Sequence, residues 1–81
     1  MAIALASVLF IPLSHAGEKP PENAKPLSVI IKMLEDNGYH PITDIEIDQG
    51  RWEIEAYKDK MKRKLKVDAV TAKIISDRRD D

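Results

Sequence analysis

Three consecutive stretches between residues 44 and 67 alternate apolar with charged side chains, and this alternation constrains the fold more than any other feature of the chain. A period of two predicts half-buried β-strands, because successive side chains of a strand point to opposite faces of its sheet. The residues expected to point inward are Ile45 and Ile47, then Trp52, Ile54 and Ala56, then Leu65 and Val67. A shift of one residue between neighbouring strands would turn an apolar set towards solvent, so the pattern also tests the length of each turn.

Two-residue turns at Gln49-Gly50 and Asp59-Lys60 pass this test. The first turn sets Ile47 opposite Trp52, whereas a three-residue turn without a bulge would set Ile47 opposite Arg51. Glycine at the second position of the first turn suits a type I′ hairpin, which needs a positive φ there. The pattern therefore predicts three antiparallel strands joined by two tight hairpins.

The same register predicts a charged outer face on the second and third strands. Its members, which we call the candidate contact face, are Glu53, Glu55 and Tyr57, set opposite Lys66, Lys64 and Lys62. Opposite charges across neighbouring strands contribute roughly 0.2–1 kcal/mol per pair. An aromatic side chain among exposed charges is also found at contact surfaces. Parity places Arg63 on the inner face, where we expect its guanidinium to reach solvent at the sheet edge.

A helix and a fourth strand complete the predicted domain. Residues 26–39 carry apolar side chains at helical spacing, with Asn37-Gly38 as the stop signal. After a polar turn at residues 68–72, we expect a short strand around Lys73–Ser76, with Ile74 inward and a frayed, charged end at residues 78–81. The predicted fold class is α+β, with one N-terminal helix packed on a four-stranded antiparallel meander.

The N-terminal part of the chain is predicted to be a signal peptide and a leader. Residues 1–17 contain no charged side chain, and Ser14-His15-Ala16 places small residues at the −3 and −1 positions of a cleavage site. The alternative for this segment is a buried N-terminal helix or strand. We therefore predict a signal peptide at 1–16, a flexible Pro-rich leader at 17–25 and the folded domain at 26–81, with no stable membrane insertion after cleavage.

Catalytic and metal-binding chemistry has little support in these residues. The chain contains no cysteine, and His40 is its one histidine after the predicted cleavage, so we expect no cofactor and no metal site. The acidic alternation on the first two strands could collect cations, although a solvated strand face is the more economical interpretation; its members are Asp44, Glu46, Asp48, Glu53 and Glu55. The basic run from Lys58 to Lys66 lies beside this acidic strand, which argues against a nucleic-acid partner.

Taken in order, these segments resemble the small stand-alone PepSY domains of Gram-negative bacteria. The similarity rests on a helix ending in a Gly-aromatic pair, on "RWEIEAY", which is its most distinctive piece, and on "KLKVD", and it covers about residues 24–80. Two turns depart from the usual pattern: Asp59-Lys60 replaces Asp-Gly, and the last turn, residues 68–72, reads D-A-V-T-A where D-P-x-T-G is usual.

The resemblance implies a secreted or periplasmic, non-enzymatic binding module, because PepSY modules also occur in the propeptides of secreted metallopeptidases. Our first hypothesis is a module that modulates or inhibits an exported peptidase or another envelope protein through its outer face or its sheet edges. The alternative is a periplasmic ligand or cation sensor that uses the acidic strand face. These two hypotheses differ in whether the acidic side chains gather into a cation site.

Overall fold

The computed structural model of the protein describes residues 18–80 of the 81-residue chain. These residues form one helix, α1 (Leu27–Asp36), and four strands, β1 (Ile42–Asp48), β2 (Arg51–Lys58), β3 (Met61–Asp68) and β4 (Ile74–Arg79). All neighbouring strands are antiparallel, and the order in the sheet is β1-β2-β3-β4. The predicted α+β fold with a four-stranded meander is confirmed. The predicted signal peptide lies outside the described residues.

Helix α1 begins and ends where the local chemistry dictates. Pro26 is its N-cap, with φ −55°, and the helix ends just before Asn37. Gly38 then adopts φ +90°, a conformation that glycine tolerates best, and the Tyr39 N–H donates to the Leu34 carbonyl at 3.0 Å. In residues 18–80 no helix is long and apolar enough to cross a membrane.

Both hairpins have the predicted register. Ile47 pairs with Trp52 across the first turn, and Ile54 pairs with Leu65 across β2 and β3. The two central residues of each turn have positive φ, as a type I′ turn requires; they are Gln49 at 53°, Gly50 at 76°, Asp59 at 52° and Lys60 at 66°. The second turn therefore keeps the same geometry without any glycine.

The hydrophobic core lies between α1 and the two central strands. Ile54, Leu65 and Val67 of the sheet are fully buried, as are Ile30 and Leu34 of the helix. Burying a side chain of this size contributes about 1.5–3 kcal/mol, which is why these few residues dominate the stability of so small a domain. Trp52 belongs to the same cluster, so its predicted core role is confirmed. The apolar residues of the outer strands are only partly buried; they are Ile42, Ile45 and Ile47 of β1 and Ile74 of β4.

The end of the chain differs from the expectation. Strand β4 extends to Arg79, and the Asp80 N–H still donates to the Lys62 carbonyl at 2.9 Å, so the predicted frayed end at residues 78–81 is wrong for the part that the structure describes. A register shift at the start of β4 sets Ile74 opposite Val67 but Ser76 opposite Lys66. The extra residue, Ile75, is a bulge that reverses the parity of the rest of the strand.

The predicted leader makes specific contacts with the domain. The Lys25 N–H donates to the Ala69 carbonyl at 2.8 Å, and a carboxylate oxygen of Glu18 accepts from the Gln49 N–H at 2.6 Å. Ala24 packs against the core cluster. Residues 18–25 therefore lie along the end of the sheet that carries the first hairpin, while the domain boundaries themselves stay predictions.

Candidate functional site

The candidate contact face lies on the side of the sheet that α1 leaves uncovered. Glu53, Glu55 and Tyr57 of β2 pair with Lys66, Lys64 and Lys62 of β3, in the predicted register. All six side chains are half-buried by their neighbours. The inner residues of the same strands, such as Ile54 and Leu65, are fully buried under the helix. Strand alternation thus separates an apolar inner face from a polar outer face.

The ion pairs on this face are diagonal rather than directly across. Lys62 lies 3.6 Å from the carboxylate of Glu55 and 3.9 Å from that of Asp80, whereas the register sets Lys62 opposite Tyr57. Within the described part of the chain, Lys64 and Lys66 take part in no ion pair. Their ammonium groups can therefore meet a partner without breaking an internal contact.

Charges on the outer face separate by sign across the sheet. The acidic half is formed by Asp44, Glu46 and Asp48 of β1 with Glu53 and Glu55 of β2. The basic half is formed by Lys62, Lys64 and Lys66 of β3 with Arg78 of β4, which pairs with Lys64. Arg51, Asp68 and Asp80 interrupt the two halves at their ends. The sequence pattern missed Arg78 as part of this face because the bulge at Ile75 was not predicted.

The same bulge turns Asp77 inward and builds a polar network at the far end of the core. Tyr39 donates its hydroxyl hydrogen to Asp77 at 2.6 Å, and the Arg63 Nε–H donates to the other carboxylate oxygen at 2.8 Å. The Lys58 ammonium lies 4.5 Å from the centre of the Tyr39 ring. Arg63 lies on the inner face opposite Ala56 as predicted, and its side chain stays 26 % exposed. The bond from its Nε–H to a carboxylate of the next strand was not predicted.

This network shifts the acidity of both of its acids. Burial, followed by the hydrogen bond to Asp77, raises the pKa of Tyr39 to about 12. Burial would raise the pKa of Asp77, but the hydrogen bonds from Tyr39 and Arg63 outweigh it and hold that pKa below its usual range. The two shifts favour the same arrangement, a neutral phenol donating to an ionised carboxylate. Tyr39 is only 5 % exposed, so we interpret the network as structural.

Residues 18–80 contain no cluster of side chains typical of a metal site. In that range no group of three or more His, Cys, Asp or Glu side chains could hold a metal ion. His40 lines an open depression of about 520 Å³ together with Pro41, Tyr57 and Asp59. The acidic side chains of β1 and β2 are spread along two strands instead of converging, so residues 18–80 offer no cation site for the sensor alternative.

Comparison with protein families gives the decisive match. The model of the PepSY_2 family, described as "Peptidase propeptide and YPEB domain", matches residues 1–78. The chain belongs to the PepSY family. No curated protein and no solved structure matches it.

The last turn of this PepSY domain, one of the two that depart from the usual pattern, is held by side-chain hydrogen bonds. In the last turn the Asp68 carboxylate accepts from the N–H groups of Val70 and Thr71, at 2.8 and 2.9 Å. These two bonds hold the pKa of Asp68 below its usual value, and the bond from the Thr71 N–H has the larger effect. Ala72 adopts φ +64° at the position where the resemblance leads one to expect glycine. Side-chain hydrogen bonding thus replaces preferred turn residues.

Proposed function

We propose that this PepSY domain is an exported, non-enzymatic binding module that modulates or inhibits a secreted or periplasmic peptidase or another envelope protein. The observation that carries the proposal is the uncovered outer face of the sheet, on which acidic and basic side chains separate into two halves. Membership in a family described by its peptidase propeptides supports a peptidase as the first partner to test.

Binding through this face would rest on charge complementarity. A partner with an acidic strip set beside a basic one could match both halves at once, which increases the association rate and excludes partners with the opposite arrangement. Tyr57 adds an aromatic side chain at one end, beside Lys62. Among residues 18–80 the ammonium groups of Lys64 and Lys66 have no ion pair to give up, so they are the strongest candidates for partner contacts.

Export and the lack of catalysis are parts of the same proposal. The predicted signal peptide at residues 1–16 would deliver the domain to the periplasm or the medium, where its partner would be another exported protein. None of the hydrogen bonds in residues 18–80 joins a serine hydroxyl to His40, so the proposal assigns no catalytic role to a serine or to His40. A binding role needs neither group.

The test measures peptidase activity in the exported fraction of the source organism. Affinity capture on the immobilised protein first isolates the bound exported proteins, and their hydrolysis of a fluorogenic peptide is then followed as the free protein is added. We expect a saturable change in activity with the natural protein and a much weaker one with Lys64→Glu/Lys66→Glu. The double variant Lys25→Glu/Lys32→Glu makes the same change of charge at exposed lysines of the leader and of α1, which packs on the inner face, and should act like the parent.

Two results would count against the proposal. One is that no captured exported protein changes its activity or binds saturably. The other is that Lys64→Glu/Lys66→Glu, shown by circular dichroism to be folded, acts as strongly as the parent protein. The first result removes the binding role, and the second moves that role to another surface.

A further inference from the structure

The two edges of the sheet differ in how well they are protected against pairing with another strand. Natural edge strands are guarded by bulges, by inward-pointing charges and by short length. Strand β4 has two of these devices, because Ile75 forms a bulge and Asp77 points a carboxylate inward. The same shift sets Arg79 opposite Arg63 on the inner side. An additional strand would meet both features along β4.

Strand β1 has a regular edge for most of its length. Its register shift is confined to the region between Ile42 and Asp44, and pairing with β2 is continuous from Asp44 to Asp48. Five residues of antiparallel strand span about 17 Å. Among residues 18–80, no inter-element backbone hydrogen bond reaches any residue of that stretch from outside the β1–β2 ladder. The described chain therefore leaves this edge open.

The hairpin geometry tells which backbone groups face outward on this edge. A two-residue turn is closed by a hydrogen-bonded pair, here Asp48 and Arg51, and hydrogen-bonded and non-hydrogen-bonded pairs then alternate along the ladder. Ile45 and Ile47 fall in the non-hydrogen-bonded pairs, so their N–H and C=O groups point away from β2. These four groups are available to a fifth strand.

The molecule itself shows which kind of strand suits this edge. Residues 44–48 read D-I-E-I-D, and residues 53–55 of β2 read E-I-E with the same alternation. Strand β2 is paired on its other side with residues 64–67 of β3, which read K-L-K-V. In the sheet formed by the described residues, β1 has no such basic neighbour on its open side, and Ile45 and Ile47 are only partly buried. A strand of the β3 type would cover both isoleucines and face the three acids.

A second copy of the chain fits this edge poorly. Two β1 strands paired edge to edge would bring Asp44, Glu46 and Asp48 of one copy against the same acids of the other, and like charges directly across a sheet are destabilising. Pairing of β1 with β4 of another copy would meet the bulge and the inward carboxylate. The favoured occupant is therefore a segment of a different protein.

We propose that the β1 edge binds an extended protein segment in which basic residues alternate with apolar ones, and adds it to the sheet as a fifth strand. The basic residues face Asp44, Glu46 and Asp48, and the apolar residues cover Ile45 and Ile47. This is the β-augmentation mode of recognition, in which main-chain hydrogen bonds give affinity and alternate side chains give specificity. The fifth-strand proposal deepens the proposed function, and it rests on that function only in taking the partner to be a protein. The experiment that tests the fifth strand needs no peptidase.

The experiment uses the full chain and a fluorescently labelled peptide with lysine-leucine-lysine-valine-lysine at its centre, followed by fluorescence anisotropy. We expect saturable binding that Glu46→Lys weakens by about tenfold, since one attraction becomes a repulsion in a row of three. Glu46 lies opposite Glu53, so a lysine there relieves an existing repulsion and should leave the fold intact. The matched control, Glu35→Lys on an exposed position of α1, should bind like the parent.

A second probe separates strand addition from attraction by charge alone. In the second peptide, the backbone nitrogens that would face β1 are methylated. This peptide keeps every charge but cannot donate hydrogen bonds to the carbonyls of Ile45 and Ile47, so its binding should be lost. In amide hydrogen exchange followed by NMR, the N–H groups of Ile45 and Ile47 should exchange fast in the free protein and slowly with the unmodified peptide.

Each contrary outcome overturns the inference. Equal binding of the methylated peptide would show a charge interaction only. Protection of the Ile45 and Ile47 amides before any peptide is added would show that the edge is already covered, by another part of the chain or, if sedimentation reports a dimer, by a second copy. Absence of peptide binding refutes the fifth strand directly. A protein that binds the peptide but affects no exported peptidase would contradict the proposed function and leave this inference standing.

Discussion

Replacing Tyr39 with phenylalanine removes one hydroxyl group and leaves the buried ring in place. The lost contact is the 2.6 Å hydrogen bond to the Asp77 carboxylate, a length typical of a charge-assisted bond. Hydrogen bonds to charged groups contribute about 1.5–3 kcal/mol to folding. Asp77 keeps Arg63 as a partner, and its side chain is 30 % exposed, so water can replace part of the lost bond. We therefore expect the low end, about 1.5 kcal/mol of unfolding free energy.

The pH dependence of stability gives an independent signature of the same bond. The folded-state pKa of Tyr39 is raised to about 12 from 10.0, so its contribution is fully present below pH 10.0 and is lost as the pH rises to about 12. Asp77 has the opposite sign: its folded-state pKa is lowered below 3.8, and its contribution is lost as the pH falls through that folded-state value. Tyr39→Phe should abolish the alkaline loss and reduce the acid loss.

The assay is urea unfolding at neutral pH, repeated at several alkaline and acidic values, for the natural protein and Tyr39→Phe. For a domain of this size, a loss of about 1.5 kcal/mol corresponds to a melting temperature lower by roughly 6–12 °C. An unchanged unfolding midpoint would show that the hydroxyl contributes nothing and would refute the network as a stabilising element. An alkaline loss of the same size in the variant would show that Tyr39 is not its source.

Further substitutions test the core, the outer face and the turns, each by its change in unfolding free energy. Trp52→Ala should cost about 3–5 kcal/mol because it empties part of the core, and a variant that melts like the parent would contradict that role. Lys64→Ala, on the solvated face, should change stability by less than about 1 kcal/mol. Lys60→Gly should stabilise by about 0.5–1 kcal/mol, because Lys60 is an exposed turn residue with φ 66°. Gly50→Ala should destabilise by about 1 kcal/mol for the same backbone reason. Destabilisation by Lys60→Gly together with stabilisation by Gly50→Ala would refute the turn assignment.

Much of the fold follows from a period of two in the sequence. The register of β1, β2 and β3 could be predicted because a slip of one residue at either turn would expose residues such as Ile54 or Leu65. The positive φ of Gly38 follows from the Asn37-Gly38 stop signal. The burial of Ile30 and Leu34 follows from the helical spacing of the apolar residues. These are places where local pattern and burial require the same arrangement.

Two of the features that could not be predicted depend on a single inserted residue in β4. The bulge at Ile75 has no signature in residues 73–79, since two neighbouring isoleucines fit either parity. Without the bulge, Ser76 and Arg78 would take the inner face that Asp77 occupies in the structure. The Tyr39–Asp77–Arg63 network and the place of Arg78 beside Lys64 both follow from it. The diagonal pairing of Lys62 with Glu55 depends on side-chain conformations that register alone does not determine.

The central claim is that the outer face of β2 and β3 binds an exported protein. It is tested most directly by the dissociation constant of the captured partner, measured by isothermal titration calorimetry with the natural protein, with Lys64→Glu/Lys66→Glu and with the control Lys25→Glu/Lys32→Glu. The account predicts that only the first double variant binds more weakly, by about tenfold or more, and that added salt narrows this difference. Equal dissociation constants for all three proteins would contradict it.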